Sequence, residues 1–235
     1  MIDIHNHTLY GVDDGPDTIE ESIQMLRDAK KQGIDAVILT PHYRHGMFPY
    51  PKDRIEAHFE ELREAAEQIP IHICLGCEYH VDSHVAEAFQ SGRCLTLAEG
   101  DYVLAEYSYD TEYSYIVQSI RGMINCGYIP VIAHAERYRC FFSAPKRLEE
   151  IRHLGALVQI NADSVIGKEG LKMTLFCRKA LKNHWVDLIA SDAHGITERA
   201  NHLAQSRSVV LKKCGEAYTN EIFYQTPKRI LGTNN

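Results

Sequence analysis

Ile2-Asp3-Ile4-His5-Asn6-His7, residues 2–7, opens with a short apolar run that ends in two imidazoles. Side chains two apart on an extended segment share a face, so His5 and His7 point to the same side. The construction returns along the chain. Residues 36–39 lead into Thr40-Pro41-His42, 71–76 to Glu78, 102–105 to Glu106, 129–133 to His134, and 186–190 to Ser191-Asp192-Ala193-His194. Between these runs lie longer amphipathic stretches, and such alternation is the pattern of a parallel sheet covered by helices.

The pattern predicts strands near 2–5, 35–40, 71–77, 102–107, 129–134, 157–161 and 187–191. Helices are expected near 18–32, 53–68, 113–126, 145–154, 170–183 and 198–213. The first helix is the clearest: Ile19, Ile23, Leu26 and Lys30 share a spacing, Asp17 or Thr18 caps it, and Gly33 stops it. Pro145, after Ser143, reads as another helix start. No linker, repeat or charge block divides the 235 residues. One α/β domain over 1–235 follows, its β/α units closing into a barrel, with an open doubly wound sheet as the structural alternative.

A formal charge of -7, with acidic residues spread along the chain, offers no basic face for nucleic acid or an anionic membrane. The opening residues lack the basic start and long apolar run of a signal peptide, and no stretch reaches the length of a membrane span. A cytoplasmic protein is expected. The seven cysteines at 74, 77, 94, 126, 140, 177 and 214 have no disulfide spacing and suit reduced thiols. Thirteen histidines are the more unusual count.

In a parallel barrel, chemistry is built where loops converge on the C-terminal strand ends. A single histidine after a strand is ordinary. Six of seven runs delivering a ligand type at the same end is not, because buried carboxylates are costly to desolvate without a cation or other partner. The candidates are His5, His7, Asp14, His42, Glu78, Glu106, His134, Asp192 and His194. They are too many for one ion with an open position, so two or three divalent ions sharing a bridging carboxylate are expected. Imidazole with carboxylate suits zinc, manganese or iron, and the carboxylates favour manganese.

The ordered motifs are Asp3-Ile4-His5-Asn6-His7, Asp13-Asp14-Gly15-Pro16, Thr40-Pro41-His42 with Arg44 and Gly46-Met47-Phe48, Gly76-Cys77-Glu78, Glu106, Val131-Ile132-Ala133-His134-Ala135-Glu136-Arg137-Tyr138, and Ala190-Ser191-Asp192-Ala193-His194. This set resembles the polymerase and histidinol phosphatase (PHP) superfamily, and within it the bacterial manganese-dependent protein-tyrosine phosphatases of capsule and exopolysaccharide loci. The His-x-His pair alone is a weak signal. The 13–16 and 134–138 segments are specific, and the resemblance runs essentially end to end.

The resemblance implies a distorted seven-stranded, TIM-like (β/α)7 barrel, the PHP fold, with three metal ions. One ion would take His5, His7, Glu78 and Asp192; a second would share Glu78 and add Glu106 and His134; a third would take Asp14, His42 and His194. Arg137 fits the family's phosphate-binding arginine, Arg44 lies in a loop expected to meet substrate, and Asp14 and His42 join Arg137 at the catalytic centre. Relatives often carry serine before the second-strand histidine, where this chain has Thr40-Pro41. The Thr226-Pro227-Lys228-Arg229 tail reads as structural. The implied reaction is in-line attack of a metal-bound hydroxide on phosphotyrosine, without a phosphoenzyme. The implied partner is a phosphotyrosine protein, the tail of a bacterial tyrosine kinase.

Rival readings are weaker. No cysteine is followed six residues later by arginine, as a cysteine-dependent phosphatase requires, and there is no G-x-x-x-x-G-K-[ST] loop. Cys74-Leu75-Gly76-Cys77 reads as core packing. A small-molecule phosphatase, such as a histidinol-phosphate phosphatase, would share nearly all the ligands, and a metal-binding module without catalysis is the alternative from another class. His58, His72, His153, His184 and His202 read as surface or structural, while His45 and His80 lie near the site. Tyr107, Tyr109, Tyr113 and Tyr115 either pack the barrel rim or shape an aromatic groove. Trp185 is expected beneath the last strand.

Overall fold

The computed structural model describes residues 1–232. Its strand segments are β1 (Ile2–Asn6), β2 (Ala36–Leu39), β3 (His42–Tyr43), β4 (His72–Leu75), β5 (Glu78–His80), β6 (Tyr102–Glu106), β7 (Ile129–Ile132), β8 (Leu157–Asn161) and β9 (Leu188–Ala190). They form two sheets, ordered β1-β2-β4 and β3-β5-β6-β7-β8-β9, and every pairing is parallel. β3 continues the path of β2 after Thr40-Pro41, and β5 that of β4 after Gly76-Cys77. Proline has no N–H to give the ladder, so the break falls there. Backbone bonds from Gly76 N–H to Leu39 O (2.8 Å) and from Glu78 N–H to Pro41 O (3.1 Å) still cross it.

At the other edge Asn6 bridges Ala193 in parallel. The bonds Asp192 N–H to His5 O (2.9 Å) and His7 N–H to Ala193 O (2.8 Å) tie β1 to the segment leaving β9. The sheets therefore curl into a barrel-like α/β fold rather than an open doubly wound one.

Helices α1 (Ile19–Lys31), α2 (Lys52–Ala65), α3 (Val85–Gln90), α4 (Tyr113–Asn125), α5 (Arg139–Ser143), α6 (Arg147–His153), α7 (Ala162–Ile166), α8 (Leu171–Lys182), α9 (Leu203–Cys214), α10 (Glu216–Asn220) and α11 (Thr226–Ile230) accompany the strands. In α1 the cap is Thr18, whose side chain accepts from Glu21 N–H, and Ser22, Met25, Leu26 and Ala29 form the buried face. Glu20 and Glu21 in its first turn and Lys30 and Lys31 in its last complement the helix dipole.

The short helices α3, α5, α7, α10 and α11 carry too few residues to print a periodic pattern. The last long helix starts later than its sequence suggests, at Leu203 rather than 198. Arg199 takes a left-handed φ of +48°, and its carbonyl accepts from His194 N–H at 2.9 Å, so this stretch is a loop folded back on the strand end.

Burial separates two layers at the strand period of two. Ile4, Ile38, Leu104, Val131 and Leu188 form a small inner core with Leu97 and Ile230. Their neighbours Val37, Leu39, Val103, Ala105, Ile132 and Ile189 face the outer core against the helices. Trp185 is buried in that outer core, as are Cys77 and Cys177, and all seven cysteines are free. Among the described residues no helix is long and apolar enough to cross a membrane. Ile230 lies on α11, so the C-terminal tail helps fill the inside of the curled sheet.

Ile230 is 1% exposed. Ile230→Ala should therefore lower the unfolding free energy by about 2–5 kcal/mol in a urea titration, the range for deleting a fully buried aliphatic side chain. A loss below about 1 kcal/mol would place the tail outside the inner core.

Candidate metal centre

Ile4 belongs to the inner core, and strict alternation would turn the next residue, His5, outward. The register of β1 on β2 slips between Asp3 and Asn6, and this irregularity brings His5 to the inside beside His7. β3 and β5 pair so that His42 sits opposite Glu78. His134 follows β7 with φ +29°, and Asp192 follows β9 with φ +53°. Left-handed backbone at two non-glycine residues costs energy and is concentrated where side chains must be aimed.

All nine candidate ligands meet at this mouth. Glu78 Oε2 lies 3.1 Å from His5 Nε2, 3.2 Å from His7 Nε2 and 3.1 Å from His42 Nδ1. Its other oxygen is 2.8 Å from His134 Nε2, which is 3.7 Å from Glu106. Asp192 Oδ1 is 3.5 Å from His5 and 3.6 Å from His7. Asp14 Oδ1 is 3.4 Å from His42 Nε2 and 3.3 Å from His194 Nε2.

Three sets have donor atoms within 4.8 Å of one another: His5, His7, Glu78 and Asp192; His7, Asp14, His42 and His194; and His42, Glu78 and Glu106. The first equals the first set named from sequence. In the others His7 joins the Asp14 group, and His42 rather than His134 stands with Glu78 and Glu106.

These residues fit divalent ions. Glu78 Oε2, Glu106 Oε2 and His194 Nε2 are buried without a hydrogen-bond partner, and each such atom costs about 1–3 kcal/mol unless something satisfies it. His5 Nε2 and His7 Nε2 approach to 3.3 Å, as two lone pairs do when aimed at one cation. Burial and His7 bring the His194 pKa down to about 4, leaving a neutral imidazole with a free lone pair at neutral pH. Burial alone would raise Glu78, yet His5 and His42 hold its carboxyl well below the usual range. Asp192, also buried, is held low by His5 and Arg137. Glu106 is raised, by burial and by Glu78.

A second layer aims the first, and it escaped the sequence reading. Asp13 Oδ2 meets His7 Nδ1 at 2.7 Å and accepts from His42 N–H at 3.0 Å, while its Oδ1 accepts from Gly15 N–H at 3.0 Å. Its carboxyl is pushed up by burial but held below the usual range by His7. An ionised carboxylate only accepts, so His7 donates from Nδ1, and Nε2 is the ring atom turned to the mouth. Gly15 is required there, since a Cβ would stand 2.2 Å from His7 O.

β8 was the one predicted strand without a ligand, and it supplies amides. Gln159 Oε1 accepts from His134 N–H at 2.8 Å and meets His5 Nδ1 at 3.1 Å; its Nε2 donates to Asn161 Oδ1 at 2.8 Å. Asn161 Nδ2 donates in turn to Asp192 Oδ2 at 2.7 Å. Two amides alternating in an otherwise apolar run were the available signal. Tyr138 Oη lies 3.3 Å from His134 Nδ1.

Two guanidinium groups flank the carboxylates. Arg137 Nη1 reaches Asp192 Oδ2 at 3.1 Å. Arg199, also missed from sequence, donates to Asp14 Oδ2 at 2.9 Å and lies 3.5 Å from Asp192 Oδ1. Beside them opens a cleft of about 460 Å³, lined among others by Arg44, Glu106, Tyr109, His134, Arg137 and Met173.

Arg44 starts a small hairpin closed by its bond to Phe48 (2.8 Å), and the Phe48 ring stacks 5.0 Å from His42. The tyrosine cluster divides. Tyr107 is buried and bonded to Ser119, Tyr113 is bonded to Glu150, and Tyr109, 65% exposed, lines the cleft. His80 bonds Ser108, and His45 is exposed on the hairpin. His58 stacks on Tyr10, His184 on Tyr218, and His202 pairs with Asp163, all structural roles.

A family model described as "Capsular polysaccharide synthesis, CpsB/CapC" matches residues 1–232. The chain belongs to the CpsB/CapC family. It is 32% identical to the tyrosine-protein phosphatase CpsB of Streptococcus pneumoniae over 238 residues, covering 98% of each chain. It is 33% identical to the tyrosine-protein phosphatase YwqE of Bacillus subtilis, over 92% of this chain and 85% of that relative. Among solved structures, it superposes with a TM-score of 0.93 and 30% identity on one from a study of YwqE and CpsB, described as "unique metal-dependent tyrosine phosphatases", covering 100% of this chain and 96% of the other.

In this family member Asp13→Asn should weaken divalent-ion binding about 10- to 100-fold in a calorimetric titration while the far-UV circular dichroism stays unchanged. Unaltered affinity would mean that His7 is aimed without Asp13.

Proposed function

We propose that this chain is a metal-dependent protein-tyrosine phosphatase, a phosphoric monoester hydrolase, that holds two or three divalent ions at its barrel mouth. His5, His7, Asp14, His42, Glu78, Glu106, His134, Asp192 and His194 would hold them, with manganese the metal favoured by the mixed imidazole and carboxylate set. The observation that carries the reading is Glu78 Oε2, buried without a hydrogen-bond partner among three imidazoles, beside two guanidinium groups and an open cleft.

Divalent ions bound there supply Lewis acidity, lowering the pKa of water and neutralising phosphoryl charge. The protein supplies position. Arg137 and Arg199 are forked donors, already paired with Asp192 and Asp14, and suit the equatorial oxygens of a phosphoryl group. Asp13, Gln159 and Asn161 fix the rings and carboxylates, so little reorganisation is needed as charge develops. Tyr109 and Arg44 line the cleft where a phosphotyrosyl ring and its peptide would lie.

The same reading takes the nine strand segments as seven staves of one distorted (β/α)7 barrel, with residues 1–235 as a single domain. It is supported by the shared paths of β2 with β3 and β4 with β5, and by the Asn6–Ala193 bridge. The relatives' names support a role in capsular polysaccharide synthesis exerted on a phosphotyrosyl protein; the reading adds a cytoplasmic setting and the tail of a bacterial tyrosine kinase as that substrate.

Chelation should abolish hydrolysis of a phosphotyrosyl peptide, and added manganese should restore it. Arg137→Ala should cut kcat/KM about 10²- to 10³-fold, with metal content by mass spectrometry nearly unchanged. Undiminished turnover after chelation, or a preference for histidinol phosphate over the peptide, would overturn the reading.

A further inference from the structure

Outside the mouth, the solvent face of α8 carries Leu171, Leu175, Arg178 and Lys182 at spacings of four, three and four, one continuous stripe. Leu171 is 72% and Leu175 53% exposed, and a helix facing only water has no reason to present two such leucines. The stripe begins between Glu169 and Met173, both of which line the cleft beside the metal centre. At the helix rise it runs about 17 Å to Lys182.

There it enters a second cleft, of about 280 Å³, between α8 and α9. Leu181, Val209 and Val210 form the apolar floor, and Arg178, Lys182 and Lys213 form the rim. No carboxylate lines it. Some exposed cations of this surface are paired with carboxylates, as Lys31 with Asp28, Arg63 with Glu60, Arg93 with Glu87 and Arg152 with Asp187. The three rim cations have no ion-pair or hydrogen-bond partner among the described residues.

We propose that the stripe and cleft on α8 and α9 are an exosite for an acidic segment with apolar side chains, carried by the phosphotyrosyl substrate at a distance from its phosphotyrosine. Charge complementarity selects the class: three unpaired cations around an apolar floor match carboxylates flanking a leucine or an aromatic ring. A concave cleft suits an inserted side chain better than a flat lipid surface. About five extended residues would span the stripe. Tethering through the exosite raises the local concentration of phosphotyrosine at the mouth without any new contact to the reacting atoms.

The substrate role rests on the phosphatase reading, but peptide binding does not. The first probe is a fluorescein-labelled, unphosphorylated peptide alternating glutamate and leucine, followed by anisotropy on the full chain. Saturable binding is expected, weakened about tenfold or more in the combined variant Arg178→Gln, Lys182→Gln, Lys213→Gln, and weakened by salt. The second probe joins phosphotyrosine through five glycines to the same segment, on either side. Its KM should fall about tenfold below that of the bare phosphotyrosyl peptide with kcat nearly unchanged, and the variant should lose this gain while hydrolysing p-nitrophenyl phosphate normally. Equal peptide binding by parent and variant would overturn the exosite. So would variant-sensitive binding to phosphatidylserine vesicles with no binding of the peptide, which would make the face a lipid surface. Absent p-nitrophenyl phosphate turnover beside intact, variant-sensitive peptide binding would instead remove the phosphatase reading and leave the peptide site standing.

Discussion

The buried carboxylate of Glu78 faces His5, His7 and His42 at 3.1–3.2 Å with one oxygen, and that oxygen has no hydrogen-bond partner. An acid in this setting is stable only if positive charge collects around it, and much of the fold is arranged to collect it. The breaks at Thr40-Pro41 and Gly76-Cys77 let β3 and β5 restart in a register that sets His42 against Glu78. The slip in β1 turns His5 inward. Left-handed backbone at His134 and Asp192 aims two more groups at the same centre. Each of these is a local cost, offset by an inner and an outer core built with the regular alternation that the mouth gives up.

That division explains what could be read from the residues. A parallel barrel shows itself in sequence because its strands are short apolar runs, and a ligand at the end of such a run stands out by polarity. His5, His7, His42, Glu78, Glu106, His134, Asp192 and His194 are all of this kind. Asp13, Gln159 and Asn161 act through other side chains, and Arg199 reaches Asp14 across 185 residues, a separation that a linear reading does not join. Asp13 lies beside the ligand-type Asp14, and it is Asp13 that turns His7. Helix ends were the least legible: the backbone of 198–202 is diverted by the bond between Arg199 O and His194 N–H, a tertiary effect with no local signature.

Specificity and chemistry are separated in this architecture. Asp13, Gln159 and Asn161 hold His5, His7, His42, His134 and Asp192 in fixed partnerships, an arrangement suited to one reaction. The surroundings are looser: the 44–48 hairpin, exposed Tyr109, and the solvent face of α8 present side chains that few intramolecular contacts restrain. Loops and exposed helix faces can change without disturbing the buried network, which is how one metal-centred barrel is adapted to different phosphoesters.

The most direct measurement of whether these distant residues jointly hold cations is anomalous diffraction at the manganese edge from crystals grown with manganese. Peaks are expected within coordination distance of Glu78, His5 and Asp192, with at least one more toward Asp14 and His194. Full manganese in the crystal with no anomalous density among these side chains would contradict the proposed centre.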